Sequence, residues 1–271
     1  MEAFYFFLYP LIACILLILI HAYFGIHILE RGIIFVDLSL AQFIGVGLAC
    51  SFLISHEDGV IKYILAISFA ILGALILAFS RKIAKFTNIE AFIGVLYIFS
   101  FAMSVLILDR TPHGTEEFKA ILNGNIIWVD GQDVFYTFLV YAVIGIFHFI
   151  FREKFMLLSR EGNGSYLWEF LFFLSFAIVL VKSVQMAGIL QVFAFLIIPA
   201  LIGKLFTRKL SLVLIGGWLL GFASSSIGLL ISYKWDIPTA PLIIASLSFL
   251  YFLMLGIKGF TNRKAESAVN A

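Results

Sequence analysis

One short polar stretch contains the residue types that bind transition metals. His113, Glu116 and Glu117 stand together in the sequence His113-Gly-Thr-Glu-Glu. One imidazole and two carboxylates form a ligand set suited to zinc or manganese. The same residue types are common in exposed loops that bind nothing, so the pattern leaves both interpretations open.

Two more polar residues lie inside an otherwise apolar segment, residues 33–54. Asp37 and Gln42 lie about 6 Å and 13 Å from its start, at a helical rise of 1.5 Å per residue. An ionised carboxylate in hydrocarbon costs about 2.5 to 3.5 kcal/mol, so Asp37 is expected to face protein or water. Asp37 is then either an interfacial group or part of a polar pathway. Gln42 is either a hydrogen-bonding group between helices or a pathway group.

The composition of the chain indicates the environment of these residues. Of 271 residues, 63% are hydrophobic and 13% are charged, and the mean hydropathy is +1.11. Soluble proteins are about half apolar and about one quarter charged. Apolar stretches of about 20 residues, enough to cross a bilayer as a helix, recur almost end to end. We therefore expect an all-α, polytopic transmembrane helical bundle.

The apolar stretches predict nine membrane spans. The seventh is short, contains Pro199 and follows the sixth almost directly, so eight spans is the alternative. The predicted segments are residues 5–24, 33–54, 60–79, 91–108, 134–151, 167–186, 188–203, 211–231 and 239–257.

The positions of lysine and arginine predict the orientation of the spans, because positively charged loops stay in the cytoplasm. With nine spans, most basic residues fall on one side: Arg31, Arg81, Lys82, Lys85, Arg152, Lys154, Arg160, Lys204, Arg208, Lys209, Lys258, Arg263 and Lys264. This arrangement places the N-terminus outside and the C-terminus in the cytoplasm. It predicts a single transmembrane domain over residues 1–258 and a short cytoplasmic tail over residues 259–271. The net charge of +2 provides no basic face for nucleic acid.

Several residues of the spans have simple structural interpretations. Ala41, Gly45 and Ala49 recur every four residues and predict a helix face that packs closely against another helix. His21 and His148 are expected to be polar anchors near the inner ends of helices. Glu90 precedes the fourth span, where an acid favours the positive end of the helix dipole.

Familiar catalytic motifs are missing from the sequence. It contains no Gly-x-x-x-x-Gly-Lys-[Ser/Thr], no Gly-x-Ser-x-Gly and no His-Glu-x-x-His. The chain is therefore not expected to be an enzyme. The sequence encodes neither nucleotide hydrolysis nor a familiar membrane hydrolase.

Several stretches, in the same order along the chain, resemble the zinc and manganese family of ABC transporter permeases. They cover about residues 25–255: Gly25-Ile-His-Ile-Leu-Glu-Arg31-Gly-Ile-Ile-Phe-Val-Asp37-Leu-Ser-Leu-Ala-Gln42, Glu90-Ala-Phe-Ile-Gly94-Val, Leu122-Asn-Gly124-Asn-Ile-Ile-Trp-Val-Asp, Gly188-Ile-Leu-Gln-Val-Phe-Ala-Phe-Leu-Ile-Ile-Pro199-Ala and Asp236-Ile-Pro238-Thr-Ala-Pro241. The fourth stretch is similar to that family's pattern Gly-x-Leu-Leu-Val-x-Ala-Leu-Leu-Ile-Ile-Pro-Ala.

The resemblance implies a permease subunit of an ATP-driven importer for zinc, manganese or ferrous iron in the bacterial cell (inner) membrane. The implied partners are a second copy of this chain, a cytoplasmic ABC ATPase that binds ATP, and an extracytoplasmic metal-binding receptor. The chain itself would hold no cofactor, and the divalent ion is its cargo. His113, Glu116 and Glu117 become candidate receiving ligands at the outer side, and Asp37 and Gln42 become candidates for the pathway.

The resemblance is incomplete in several places, among them Gly32, which replaces a basic residue, and Asn125, which replaces an acid. The family often carries Asp and His four residues apart in the second span, where this chain has Leu38 and Gln42. The inner segment from Arg152 to Trp168, the expected docking site of the ATPase, is short but long enough for a small helix. A permease for a metal chelate or vitamin-like cofactor, an ATP-independent metal transporter and a membrane enzyme remain as alternative functions.

Overall fold

The computed structural model describes residues 2–54, 59–83, 85–161 and 165–269, and every regular element within these ranges is helical. This confirms the predicted all-α class. In chain order the helices are α1 (Glu2–Arg31), α2 (Val36–Ile54), α3 (Gly59–Ala78), α4 (Ser80–Ile83), α5 (Ile89–Leu108), α6 (Gly114–Asn123), α7 (Gly131–Ile150), α8 (Arg152–Glu161), α9 (Tyr166–Phe206), α10 (Leu210–Trp235) and α11 (Thr239–Val269). A 3-10 turn, Ile126–Trp128, lies between α6 and α7.

Within the described ranges, 8 helices are long and apolar enough to cross a membrane: α1, α2, α3, α5, α7, α9, α10 and α11. This confirms the alternative of eight continuous spanning helices. The sixth and seventh predicted segments are both part of α9, which has 41 residues. The predicted tail does not begin at a helix end, because α11 continues past residue 258 to Val269. Residues 270 and 271 lie outside the described ranges.

Helix α9 is interrupted at Gly188, whose backbone angles of φ 75° and ψ 163° are not helical. Two ion pairs with the end of α1 show where the two ends of α9 lie. Arg31 lies 3.1 Å from Glu169 near the start of α9, and Glu30 lies 2.5 Å from Lys204 near its end.

Because residues 30 and 31 are neighbours, these ion pairs hold both ends of α9 at the same end of the bundle. In a straight helix, residues 169 and 204 would be about 52 Å apart. The helix therefore folds back at Gly188, and its halves, 166–187 and 189–206, run in broadly opposite directions. Each half is close to the roughly 20 residues needed to cross a bilayer. The fold thus has nine segments of about membrane length in eight continuous helices.

The bundle has two distinct ends, which we name after the short helices found there. The α8 end carries α8, the end of α1 and the α9–α10 connection. The α6 end carries α6 and the start of α1, where the ring of Phe7 lies 4.9 Å from that of Tyr233 near the end of α10.

Helices α2 and α9 form the centre of the bundle. In the most apolar 18-residue stretch of each helix, the buried share of residues is 72% in α2 and 78% in α9. The same share is only 22% in α5 and in α7 and 17% in α11. The outer helices expose large apolar side chains such as Phe149, Leu230 and Phe252. An apolar exterior around a buried centre is the arrangement expected of a bundle surrounded by lipid.

Small residues let α2 occupy this central position. Ala41 and Ala49 are fully buried, and a side chain at Gly45 would touch residues of α6 and α9. At Gly47, a β-carbon would lie 2.7 Å from the backbone oxygen of Leu65 in α3. The predicted close packing of α2 is therefore confirmed.

Candidate functional site

The first part of the candidate site lies at the α6 end, where α6 begins. His113 occupies the N-cap position of α6, and its Nδ1 lies 3.8 Å from Oε2 of Glu116. Both side chains are exposed. A metal ion about 2.0 to 2.2 Å from each ligand atom can bridge this distance with little rearrangement. The structure therefore brings together the imidazole and one of the two predicted carboxylates.

The second predicted carboxylate, that of Glu117, is held by another residue. The hydroxyl of Thr111 donates a 2.7 Å hydrogen bond to Oε2 of Glu117. Thr111 is six residues upstream, so this contact could not be read from the His-Gly-Thr-Glu-Glu pattern. Glu117 is consequently less available to an ion than Glu116.

A cavity of about 420 Å³ opens beside His113 and Glu116. Asp109 and Thr111 also line it, together with apolar residues from the end of α5 and from Phe118. Sequence reasoning did not select Asp109 as a candidate ligand, although it is only four residues from His113. The lining thus includes one imidazole and two carboxylates, which are residue types that bind borderline divalent ions.

The cavity at the α6 end is not a closed metal site in the part of the chain that the structure describes. Among the described residues, no group of three or more His, Cys, Asp and Glu side chains is close enough to hold an ion. Structural zinc sites are almost always closed by four protein ligands.

The second part of the site lies on α2, in the centre of the bundle. Asp37 and Gln42 are fully buried, and both Asp37 carboxylate oxygens and Gln42 Oε1 lack a hydrogen-bond partner among the described residues. A buried carboxylate without a partner is costly and marks a functional group more often than a structural one. Residues five apart point about 140° away from each other on a helix, so the two side chains do not share a face.

Gln42 lies where three helices meet. A β-carbon at Gly45 would lie 3.4 Å from Gln42 Oε1, 3.3 Å from Ile121 of α6 and 3.5 Å from Ile189 of α9. The amide of Gln42 therefore faces the region between α2, α6 and α9.

Gln191 of α9 is a buried polar residue that the sequence analysis missed. It is fully buried, and neither its amide nitrogen nor its amide oxygen has a hydrogen-bond partner in the part of the chain that the structure describes. The signal was the same as for Gln42, an amide side chain inside an apolar segment. Asp37, Gln42 and Gln191 thus all carry buried polar atoms that have no hydrogen-bond partner among the described residues.

Helix α6 connects the cavity at the α6 end with the centre of the bundle. It begins at the exposed His113 and carries the buried Ile121 to the neighbourhood of Gln42. Its C-terminal Gly124 meets the break of α9 at Gly188, and the backbone N–H of Asn125 donates to the carbonyl of Met186. Movement of α6 would therefore affect both parts of the site.

Glu90 forms a hydrogen bond with the α1–α2 connection, close in sequence to Asp37. Its Oε1 accepts a 3.2 Å hydrogen bond from the backbone N–H of Phe35, just before α2 begins. Asn88 caps α5 by accepting from the N–H of Ala91. Glu90 is thus in the first turn of α5, as the helix-dipole interpretation predicts, and it also holds the α1–α2 connection.

A buried polar network ties α8 to the bundle. His27 Nδ1 lies 2.8 Å from the hydroxyl of Ser159 in α8, and Arg31 forms the buried ion pair with Glu169. His148 is bonded to Ser175 at 2.7 Å. His21 donates through Nδ1 to the carbonyl of its own helix at Leu17. His148 lies in the last turn of α7, near a helix end as predicted, whereas His21 and His27 lie within α1. The ion pair of Glu169 was not predicted from the sequence.

Comparison with known proteins identifies the family. The profile described as "ABC 3 transport family" matches residues 3–258, almost the whole chain. The chain belongs to the ABC 3 transport family. With its membrane-length helices, this ABC 3 family member is a multi-pass membrane protein.

Curated relatives of this ABC 3 family member carry the names of metal transport proteins. It is 26% identical over 190 residues to the "Probable metal transport system membrane protein" of Chlamydia muridarum, covering 67% of this chain and 64% of that protein. It is 26% identical over 237 residues to the "Manganese transport system membrane protein MntC" of Listeria monocytogenes, covering 84% and 82%. The chain thus spans a little less than two thirds of the Chlamydia protein and most of MntC.

A solved structure shares the fold of this ABC 3 family member. The structure described as PsaBC from Streptococcus pneumoniae in complex with Fab matches 93% of this chain and 92% of its own chain. The TM-score is 0.76 and the sequence identity 23%. The chain therefore shares the overall fold of that solved structure.

Proposed function

We propose that this protein is the membrane-spanning permease subunit of an ATP-driven importer for divalent metal ions such as manganese, zinc or ferrous iron. The observation that carries the proposal is the match to the ABC 3 transport family over residues 3–258. Relatives named as manganese and iron transport proteins support a metal cargo.

The two parts of the site divide the work of moving an ion. At the α6 end, His113 and Glu116 exchange ligands with an arriving ion in an open cavity, with Asp109 nearby. In the centre, Asp37 supplies negative charge, and Gln42 and Gln191 supply amide groups that replace water. In this proposal the ion is cargo throughout and is not a resident cofactor.

We place the α8 end in the cytoplasm. Arg152, Lys154, Arg160, Arg208 and Lys258 gather at this end, which agrees with the positive-inside rule. The N-terminus of α1 is then outside. The α6 end, with His113 and Glu116, is open to a receptor that delivers the ion.

The partners follow from this orientation. Helix α8 buries Phe155 and Leu158 and exposes Lys154 and Leu157, so its outer face is available to a cytoplasmic ATPase. The ATPase would bind and hydrolyse ATP, and the permease would be a homodimer. Closure of the ATPases would be transmitted through α8 and the network of His27, Ser159 and Arg31.

Reconstitution tests the proposal directly. The permease is placed in proteoliposomes with its ATPase and receptor, and uptake of radiolabelled manganese, zinc and ferrous iron is measured. We expect uptake of at least one ion that requires ATP and stops with a non-hydrolysable analogue. Ion uptake by the permease alone, driven by a gradient, would identify a secondary transporter. Uptake restricted to a chelated ion would identify a chelate permease.

A further inference from the structure

A cavity outside the ion path lies between α1, α7, α8 and α10, at the α8 end. Its volume is about 590 Å³, within the roughly 300 to 1,000 Å³ range of ligand pockets. The walls are mostly apolar and include Ile20, Phe149, Met156, Leu214 and Trp218. The proposed route of the ion does not use this cavity, because Asp37, Gln42 and Gln191 are not among its lining residues.

The mouth of the cavity is basic. Arg152 and Arg160 line it together with one acid, Glu153. A second cavity of about 350 Å³ shares Met156, Arg160 and Leu210 with the first. The second cavity adds Lys204 and Arg208, and its one acid, Glu30, is paired with Lys204. We call these two adjoining cavities, which share lining residues, the joined cavities. Their lining contains more basic than acidic side chains.

The basic residues and the apolar walls are arranged like the charged headgroup and the acyl chains of an amphiphile. The basic residues are at the ends of α7, α8 and α9, where a span meets the membrane surface. The apolar walls continue inward along α7 and α10, and Phe149 is 70% exposed on the outer face of α7. Trp218 contributes an indole N–H that has no acceptor among the described residues.

We propose that the joined cavities bind one acidic phospholipid of the cytoplasmic leaflet. Its phosphate lies between Arg160 and Arg208, and one acyl chain enters the apolar cavity beside Gly145. Basic pockets between spanning helices on the cytoplasmic side attract acidic headgroups, and each nearby cation contributes favourably. The lipid would hold α8, which carries Arg160 and Met156, against α1 and α10. It would thereby stabilise the proposed docking helix.

Gly145 allows a direct steric test of acyl-chain binding. It lines the cavity, and a β-carbon there would meet no atom within 4 Å. Gly145→Leu therefore fills the cavity without a backbone clash. Gly256→Leu is the matched control, because Gly256 is also near the α8 end of a spanning helix, has the same open space and lies outside both cavities.

The probe is a matched pair of phospholipids, phosphatidylglycerol and phosphatidylcholine, with identical acyl chains. The full-length purified chain is exposed to equal amounts of both in detergent micelles, and retained lipids are counted by native mass spectrometry. We expect one phosphatidylglycerol to be retained in preference to phosphatidylcholine. Gly145→Leu should abolish this retention, and Gly256→Leu should preserve it.

The headgroup contacts are tested separately. Arg160→Gln and Arg208→Gln should each weaken phosphatidylglycerol retention about fivefold, because one nearby cation contributes about 1 kcal/mol. Arg160→Lys should retain most of the preference. Inorganic phosphate at the same concentration should not compete, because it lacks the acyl chain.

Three outcomes would overturn the proposal. The first is equal retention of both lipids by the unmodified chain. The second is unchanged retention in Gly145→Leu, with the same melting temperature as the control variant. The third is a loss of dimer in Gly145→Leu without any lipid preference, which would assign this face to a second copy of the chain.

Discussion

Gly124 and Gly188 meet backbone to backbone. A β-carbon on either residue would overlap the main chain beside the other, and both have positive φ, 59° and 75°. This contact joins the end of α6 to the point where α9 folds back. Only glycine combines the small size and the backbone freedom that the contact requires.

Replacement of either glycine should therefore damage the fold. We expect Gly188→Ala to destabilise the protein by more than the 1 to 3 kcal/mol typical of backbone strain, because the steric overlap adds to the strain. Thermal unfolding of the purified protein measures the effect. Gly145→Ala is the control, since a β-carbon there meets open space. Equal melting temperatures for the two variants would contradict this account of the α6–α9 contact.

The ion pair between Arg31 and Glu169 should be essential to stability. Both side chains are almost fully buried, 7% and 5% exposed, and Arg31 also stacks 4.1 Å above the ring of Phe172. Glu169→Ala leaves a buried cation without this partner, a change that costs about 3 to 5 kcal/mol. Thermal unfolding and expression yield should both fall.

The neighbouring pair of Glu30 and Lys204 provides the matched control. These side chains are 39% and 31% exposed, and exposed ion pairs contribute about 0 to 1 kcal/mol. Glu30→Ala should therefore leave the melting temperature nearly unchanged. If both variants lost the same stability, burial would not be the feature that distinguishes the two pairs.

The outer ligands should control the affinity for the ion and have little effect on the maximal rate. His113→Ala and Glu116→Gln each remove a ligand from the open cavity, so the external metal concentration for half-maximal uptake should rise several-fold. Radiometal uptake in the reconstituted system measures both parameters. Glu117→Gln is the control, because Thr111 already engages that carboxylate. An equal effect of all three variants would point to the general charge of the loop.

The sequence predicts features that depend on local spacing. Apolar segments of membrane length recover the spanning segments. His113 and Glu116, three residues apart in sequence, lie 3.8 Å apart, but His113 is the N-cap of α6 and not part of a loop. The inner segment after Arg152 contains the predicted short helix, α8. These features depend on hydropathy and helix period, which short stretches of sequence express directly.

Contacts between distant residues could not be predicted in the same way. Glu169 and Arg31 are separated by 138 residues, and nothing in either segment indicates the pairing. The reversal at Gly188 depends on a tertiary contact with Gly124, because a lone glycine in an apolar run is also compatible with a continuous helix. Gln191 resembles any amide in a span until its burial without a partner is seen.

The orientation and the reversal of α9 can be tested together by cysteine labelling. Single cysteines at Thr115, Lys154 and Arg208 are all at exposed positions. A membrane-impermeant maleimide added to intact cells should label position 115 and spare positions 154 and 208. The unmodified chain, with buried Cys14 and half-buried Cys50, gives the background.

Position 208 is the informative one for the path of α9. If α9 crossed the membrane once as a straight helix, positions 154 and 208 would lie on opposite sides. Labelling of both after permeabilisation, and of neither before, supports the folded α9 and a cytoplasmic α8 end. The reverse pattern, with 115 spared and the other two labelled, would invert the orientation.

Asp37 should determine how fast an ion passes through the centre of the bundle. Its carboxylate is buried without a partner among the described residues, so a passing cation would both gain a ligand and stabilise the charge. Asp37→Asn keeps the shape and removes the attraction. The maximal uptake rate should fall, with a smaller change in the external concentration for half-maximal uptake, because the outer ligands remain. Ser39→Ala, at another buried polar position on the same turn, controls for packing and should transport normally. Unchanged transport in Asp37→Asn at equal expression would make Asp37 an interfacial group, and the pathway would then have to run through other residues.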